Sequence, residues 1–448
     1  MRPLPTEEFG LQALEDNSEK KGPTVVIVGG GFGGLRVAKG LRNAPVSVVL
    51  VDRRNHHLFQ PLLYQVASAA LSPADIARPI RSILRAQKNT QVLLDEVTAV
   101  DPKAKSVHLR NTEPLQYDWL VLAAGAGHAY FGNEHWASFA PGLKSIEDAL
   151  EIRRRVLLAY EAAEQAESEE ERLRRLTFVV VGAGPTGVEM AGALREIASE
   201  TIPADFRRVD TRTARVVLVE GKDRVLSAMS KRASDRAQAA LTNMSIEVRL
   251  NTFVTDVDAE GVLLGQERLE AANVIWAAGV RASSIGKTLG SPTDAAGRVV
   301  VEADCSVKGH PRLFVVGDMA SQTSGSTHVP GVAQGAIQMG DFVARLIEEE
   351  ARTGSRRQAV FTYRDKGSLA TIGRARAVAD VFGTTVGGLG AWLLWSGVHI
   401  AFLIGFRNKT FVILSWMWTY IRNTRGARLI TGWTPGESAS RKLPRPEV

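Results

Sequence analysis

Cysteine is almost absent from this sequence: Cys305 is the only one in 448 residues. A single cysteine cannot close an intramolecular disulfide, form a C-x-x-C redox pair or hold an iron–sulfur cluster. It reads as a small buried hydrophobe, consistent with a reducing compartment. No H-E-x-x-H or G-x-S-x-G segment is present, and the eight histidines form no ligand cluster. Neither a metal site nor serine-hydrolase chemistry is therefore expected. The formal net charge is +7, yet no helix-turn-helix, zinc-ligand or aromatic RNA-binding pattern accompanies it. Nucleic acid is thus not an expected partner. Residues 1–22 carry acidic side chains and no apolar stretch, so they read as a disordered polar leader rather than a secretory signal.

Glycine, by contrast, is abundant at 41 residues, and its placement is informative. Thr24–Val28 is a short run of β-branched residues that predicts a buried strand. Gly29-Gly30-Gly31-Phe32-Gly33-Gly34 follows, then a helical pattern over Leu35–Leu41, then a second strand over Val46–Val51 ending at Asp52. This is the order of a dinucleotide-binding βαβ unit. Gly29 permits the tight turn, Gly31 lets a pyrophosphate approach, Gly34 lets helix meet strand, and Asp52 can bind ribose hydroxyls.

The pattern recurs. Thr177–Val181 predicts a strand, Gly182-Ala183-Gly184-Pro185-Thr186-Gly187 the turn, Val188–Ala198 a helix, and Arg215–Val219 a strand ending at Glu220. Residues 200–213 read as an inserted surface segment that lengthens the interval to the acid. Glu220 is expected to bind the adenosine ribose and repel a 2′-phosphate, favouring NADH over NADPH. Two such units suggest FAD plus a nicotinamide nucleotide, and the strand ending at Gly317-Asp318 offers a carboxylate to the flavin ribityl chain. Elsewhere, Gln91–Val100 predicts one strand, residues 145–175 one long surface helix N-capped by Ser145, Pro330–Glu350 a helix, and residues 362–382 β structure.

Together, Gly29–Gly34, Gly125, Gly182–Gly187 and Gly317-Asp318 resemble the two-dinucleotide-domain flavoprotein disulfide reductase superfamily. The segment where its disulfide-reducing members carry cysteines reads His56-His57-Leu58-Phe59-Gln60-Pro61-Leu62 here. Electrons must then leave the flavin for something other than a protein disulfide. His57–Ala67, Phe178–Ala191, Val332–Gly340 and Tyr363–Gly373 resemble the type II NADH dehydrogenases, single-chain NADH:quinone oxidoreductases that do not pump protons.

That resemblance implies an α/β fold of two Rossmann-like domains with a membrane-anchoring helical C-terminus. It divides the chain into a leader (1–22), an FAD domain in two parts (23–145 and 298–355), an NADH domain (146–297) and a C-terminal region (356–448). It implies FAD contacts at Gly29, Gly31, Gly33, Gly34, Asp52, Arg53, Gln60, Val97, Ala124, Gly125, Gly317, Asp318, Ala333 and Gln334. NADH contacts follow at Gly182, Gly184, Thr186, Gly187, Glu189, Glu220, Ala278 and Gly279. Gln334, Gln338 and Lys366 are placed near the quinone, and Glu189 between nicotinamide and quinone sides in proton handling. A homodimer is also implied.

Gly387–Phe406 and Phe411–Ile421 are apolar, and Trp392, Trp395, Trp416, Trp418 and Trp433 gather here beside Arg407, Lys409, Arg422, Arg425 and Arg428. Aromatics and cations flanking apolar stretches suggest helices lying in one leaflet, on the cytoplasmic face, rather than a span of ~20 residues. Two other readings stay open at this point: a flavin-dependent reductase with a soluble acceptor, and a flavin-based redox sensor.

Overall fold

The computed structural model describes residues 22–325, 327–422 and 426–431. The expected leader, Arg425 and Trp433 lie outside the described residues, as do the side chains of Arg407, Trp418 and Arg422. In chain order, the labelled elements begin with β1 (Thr24–Val28), α1 (Phe32–Gly40) and β2 (Ser47–Asp52). Next come β3 (Thr177–Val181), α2 (Pro185–Glu196) and β4 (Arg215–Val219). Last are α3 (Ala333–Thr353), β5 (Ser368–Gly373), β6 (Arg376–Val381), β7 (Thr384–Gly387), α4 (Gly388–Phe402) and α5 (Phe406–Arg422).

Two compact units form. The first gathers residues up to 57, 79–126 and 282–364. Its sheet runs His310–Val315, Trp119–Leu122, β1, β2, Thr90–Leu94, all parallel, with Ser306–Val307 antiparallel at the edge. Val25, Val26 and Ile27 are fully buried, as central strands covered on both faces must be. Helices α1 and α3 pack through small residues. A Cβ on Gly340 would stand 2.6 Å from the Gly33 carbonyl oxygen, and one on Gly40 2.6 Å from the Ala344 Cβ. Arg36 and Asp341 close that contact with a two-pronged ion pair at 2.7 and 2.8 Å.

The second unit gathers residues 58–78, 127–281 and those from 365 onward. Its parallel sheet runs Ile246–Arg249, β4, β3, Asn273–Trp276. A separate antiparallel sheet, β5-β6-β7, continues directly into α4. Strand β5 lies hard against α2: a Cβ on Gly192 would meet the Ile372 carbonyl oxygen at 1.6 Å.

Several local expectations change. Residues 145–175 form two helices, Ile146–Gln165 and Glu169–Arg175, because Ala166 is extended and Ser168 caps a new start. The first is no surface helix, since Ile152, Val156 and Tyr160 are buried; its Ser145 cap stands, with Asp148 completing a capping box. Gln91–Val100 breaks at Asp95, whose carboxylate accepts from the Glu96 and Asn111 amides and turns the chain. Helix α3 begins at Ala333 after an extended Val332, not at Pro330. Residues 200–213 are more than a surface insertion: Ile197–Thr201 extends α2 as a wide π-helical turn, and Ile202, Val209 and Thr211 are buried.

No helix among the described residues is long and apolar enough to cross a membrane. Leu389, Leu393, Leu394 and Phe402 of α4, and Phe411, Ile413, Leu414 and Met417 of α5, are exposed. Trp395 is not part of that surface. It is buried in full, because its ring packs inward against Trp416 and His399. Lys409 and Arg428 are likewise engaged within the protein, on the Ala401 carbonyl and on Asp205.

The approach of β5 to α2 leads to a test. Gly192→Ala should cost about 1–3 kcal/mol by overpacking. Differential scanning calorimetry should show a melting temperature lower by several degrees, at roughly 2–4 °C per kcal/mol. An unchanged melting temperature would mean that β5 does not rest on α2.

Candidate nucleotide and electron-transfer site

The two glycine loops are the same device built twice. Gly29 has φ +101° and Gly182 φ +99°, a region open to glycine and costly to other residues. The Gly29 amide donates to the Val51 carbonyl at 2.8 Å, and the Gly182 amide to Val219 at 2.7 Å. A Cβ at Gly34 would lie 1.9 Å from the Gly29 oxygen; one at Gly187 would lie 1.8 Å from the Gly182 oxygen. At Gly31 and Gly184 a Cβ would meet nothing within 4 Å, so the backbone there faces open space.

The acids that end the second strands are also equivalent. One oxygen of Asp52 accepts from the Gly30 amide at 2.5 Å and the other from Arg54 at 2.7 Å. Glu220 accepts from Ala183 at 2.7 Å and from Lys222 at 3.0 Å. Each carboxylate thus braces its loop while retaining lone pairs for ribose hydroxyls.

Helix starts follow the same logic. Ser145, Ser168 and Ser230 cap their helices with side-chain oxygens. Gly31, Gly184 and Val332 supply no side-chain cap. The first-turn N–H groups of α1, α2 and α3 are left to meet an external anion or carbonyl oxygen.

In the first unit, Gly29, Gly31, Gly33, Gly34, Asp52, Ala124, Gly125, Gly317 and Asp318 all follow the carboxyl ends of parallel strands, where doubly wound sheets bind ligands. The Ala124 amide contacts Met319 Sδ at 3.2 Å, and Gly125 (φ +69°) accepts from Ser283 at 3.0 Å. Gly317 and Gly33 both approach Ala336, and Asp318 lies beside Gly331, so the Gly-Asp turn and the start of α3 with Ala333 and Gln334 share one neighbourhood. Arg53 is exposed, 3.9 Å from Glu96, and Val97 is half-buried at the start of its strand. Gln60 belongs to the second unit and donates to the Lys144 carbonyl at 3.3 Å.

His57 is a functional candidate with only a faint sequence signal. It is buried, and its Nδ1 donates to the Gly30 carbonyl at 2.9 Å, which leaves Nε2 as an acceptor. That Nε2 finds no partner among the described residues. Burial holds the imidazole below its usual pKa, hence neutral. A dinucleotide fits these features: an open loop, an uncapped helix start, and an orphaned acceptor beside them that a hydroxyl or water can satisfy.

Gln338 proves to be committed. Its amide nitrogen donates to the Arg364 carbonyl at 2.9 Å and its oxygen accepts from the Arg364 amide at 3.0 Å, which ties that segment to α3. Gln334 is half-buried one turn earlier on the helix. Lys366 is exposed in the second unit, just before β5. The Lys366-Gly367 turn is pinned by Asp365, which accepts from the Gly367 amide at 2.9 Å.

Glu189 is buried on α2. Burial pushes its carboxyl up to about 8, and hydrogen bonding from the Thr371 amide and the Trp395 indole offsets this only in part. The indole N–H falls outside strict hydrogen-bond geometry, so its pull is the weaker one. The sequence pointed to Glu189 but not to Thr371 or Trp395, which are remote in the chain. Thr186 is exposed in the first turn of α2, and Ala278 and Gly279 follow Asn273–Trp276, with Gly279 against Phe131.

The pyridine nucleotide-disulphide oxidoreductase profile matches residues 23–340, and the NDH2 C-terminal domain profile matches residues 366–423. The chain is 47% identical over 420 residues to the type II NADH:quinone oxidoreductase Ndh of Mycobacterium tuberculosis, covering 91% of this chain and 90% of that protein. This chain belongs to the type II NADH:quinone oxidoreductase family. A second Mycobacterium tuberculosis relative, NdhA, is 46% identical across 91% of this chain and 89% of its own length. The solved structure of NDH2 from Plasmodium falciparum in complex with NADH shares the fold, with a TM-score of 0.80 at 21% identity, covering 89% of this chain and 98% of that one. The type II fold thus joins two Rossmann-like units, as its glycine motifs imply.

Two measurements test the local chemistry. Glu220→Ala should raise KM for NADH about tenfold to a hundredfold, through loss of charged hydrogen bonds, while leaving KM for quinone unchanged. An unaltered NADH KM would remove Glu220 from the ribose. Glu189 binds its proton more tightly folded than unfolded, so its contribution to stability is present below its ordinary value of 4.5 and is lost as pH rises to about 8. Glu189→Gln should therefore gain stability relative to the parent across that window and no further above it, read by chemical denaturation at each pH.

Proposed function

We propose that this chain oxidises NADH at the second glycine loop and delivers the electrons, through FAD held at the first, to a quinone. The observation that carries the reading is the pair of equivalent dinucleotide loops in a chain whose single cysteine is sealed away. Cys305 is fully buried and its thiol is pushed far up by that burial, so no protein disulfide can take electrons from the flavin.

When bound, FAD accepts a hydride from NADH and passes two electrons on to the quinone. The chain's own residues bind, orient and handle protons around that chemistry. Gly182, Gly184, Gly187 and the start of α2 face the NADH pyrophosphate, with Glu220 on the ribose and Thr186, Ala278 and Gly279 alongside. Gly29, Gly31, Gly33, Gly34 and α1 do the same for FAD, with Asp52 on the ribose, Asp318 on the ribityl chain, and Arg53, Gln60, Val97, Ala124, Gly125 and Gly317 around it. The uncapped start of α3, with Ala333 and Gln334, points its positive end at developing negative charge.

Gln334 and Gln338 serve the quinone. The paired hydrogen bonds between Gln338 and the Arg364 backbone make Gln338 a brace for the acceptor site as much as a contact. Glu189 is largely protonated at neutral pH and so can supply a proton to the reduced quinone, with Lys366 as an exposed cation on the same unit. The exposed apolar residues of α4 and α5 support a monotopic seat on the membrane through residues 387–421, where a lipid quinone is at hand, and the proposed side is the cytoplasmic face. A homodimer completes the reading.

The test is NADH oxidation by the purified holoenzyme in detergent. NADH alone should bleach the flavin in one turnover, and a short-tailed quinone should restore the colour and sustain turnover. Gln338→Ala should keep the bleaching and slow quinone turnover up to about a hundredfold, as expected for a misplaced acceptor site. Bleaching without reoxidation by quinone would give the acceptor role to a soluble carrier.

A further inference from the structure

NADH is a linear ligand, and the sheet of the second unit gives its parts an order. The strands run Ile246–Arg249, β4, β3, Asn273–Trp276, and ligands of such sheets lie across the carboxyl ends. The Gly182 loop that faces the pyrophosphate follows β3, and Glu220, the ribose acid, follows β4. Ala278 and Gly279, after Asn273–Trp276, fall to the nicotinamide side. A dinucleotide laid across in that sequence brings its adenine over the next strand end, that of Ile246–Arg249, which pairs with β4.

An aromatic ring stands there. The chain leaves Arg249, turns at Asn251 with φ +51°, and comes back onto the loop of the acid. The Thr252 amide donates to the Glu220 carbonyl at 3.0 Å and the Asn251 amide to the Lys222 carbonyl at 2.9 Å, while the Glu220 amide donates to the Arg249 carbonyl at 2.8 Å. Phe253 follows, and its ring rests on Gly221: a Cβ there would stand 2.6 Å from Cε1 and 3.1 Å from each of Cδ1 and Cζ. The rest of the ring is open, with Phe253 70% exposed.

Single apolar side chains on a surface are ordinary. This one is set apart by its mounting, since cross-loop hydrogen bonds and a residue without a side chain hold the ring beside the acid. The neighbouring cations are drawn away from it. Lys222 donates to the Ser227 hydroxyl at 3.2 Å, Arg224 to the Ser227 carbonyl at 2.9 Å, and Arg249 pairs with Glu247 and Glu267. What the two loops offer a base is therefore an apolar aromatic surface.

We propose that Phe253 is a binding residue for NADH: its ring, seated on Gly221, is the platform on which the adenine stacks. This rests on the reading of the second glycine loop as the NADH site. The base leaves the ribose at the carbon next to the one bearing the 2′-hydroxyl, so a sugar gripped by Glu220 carries its adenine to this ring. Stacking asks only for a π-face, and it adds binding energy far from the nicotinamide that gives up the hydride.

The experiment is a calorimetric titration of the oxidised holoenzyme in detergent with ADP-ribose, which carries the adenosine half and no nicotinamide. Phe253→Ala should weaken ADP-ribose about tenfold, and Phe253→Trp should hold or tighten it. The side chain is exposed, so neither change opens the core. Gly221→Ala puts a methyl where the ring rests; it should weaken ADP-ribose in the parent and have no further effect once Phe253 is replaced by alanine. In stopped-flow flavin bleaching, the advantage of NADH over reduced nicotinamide mononucleotide, which lacks the adenosine, should shrink about tenfold in Phe253→Ala. Equal weakening of both nucleotides would make Phe253 a support of the loop and overturn the platform. Parent-like ADP-ribose affinity in Phe253→Ala, beside a large loss in Glu220→Ala, would overturn the platform and keep the NADH site. Affinity indifferent to both changes would remove the NADH reading of the second loop, and the platform with it.

Discussion

A van der Waals limit governs both halves of this molecule. At Gly34 and Gly187 any side chain would stand within 2 Å of a carbonyl oxygen in its own loop. Only with hydrogen there can the chain turn from strand to helix within six residues and still bring the helix start to the strand end. That turn aims the uncapped N–H groups of α1 and α2 at the space beside Gly31 and Gly184. Asp52 and Glu220 then stiffen what the glycines permit, because each carboxylate grips a loop amide. Preorganised donors of this kind bind a pyrophosphate without reorganising, so the loops need no large motion to function.

The same economy of side chains recurs where helices meet. Gly33, Gly40 and Gly340 let α1 and α3 approach until backbone meets side chain, and the Arg36–Asp341 pair fixes their register. That contact brings the start of α3 to the Gly317-Asp318 turn. Gly192 does the equivalent work for β5 on α2. In each case a residue that adds no packing of its own decides where a functional group comes to lie.

Glu189 shows the opposite strategy. An isolated carboxylate in an apolar setting is costly, and the protein meets the cost by keeping the group protonated. Burial holds that proton more tightly than water would, so it is given up only as the pH approaches about 8. Two neutral histidines, His57 and His399, are kept from charging by the same burial and act as hydrogen-bonding rings rather than as ions.

The sequence by itself determined the two nucleotide loops, their acids, the Gly-Asp turn and the inert cysteine. These are local: strand, turn and helix follow one another within some thirty residues, and the glycine spacing is dictated by contacts inside that stretch. Glu189 and the glutamines of α3 were legible through the family pattern they sit in. Tertiary structure alone decided the rest. The tryptophans after residue 390 read as a membrane belt, yet Trp395 faces inward, because a periodic apolar helix does not state which face meets lipid and which meets protein. Gln338 read as a quinone contact, and its bonds to Arg364 join residues 26 positions apart. Strand β5 comes onto α2 through Gly192, a glycine whose purpose is invisible until the strand it admits is seen. Long-range packing of this kind leaves no periodicity for a sequence reading to find.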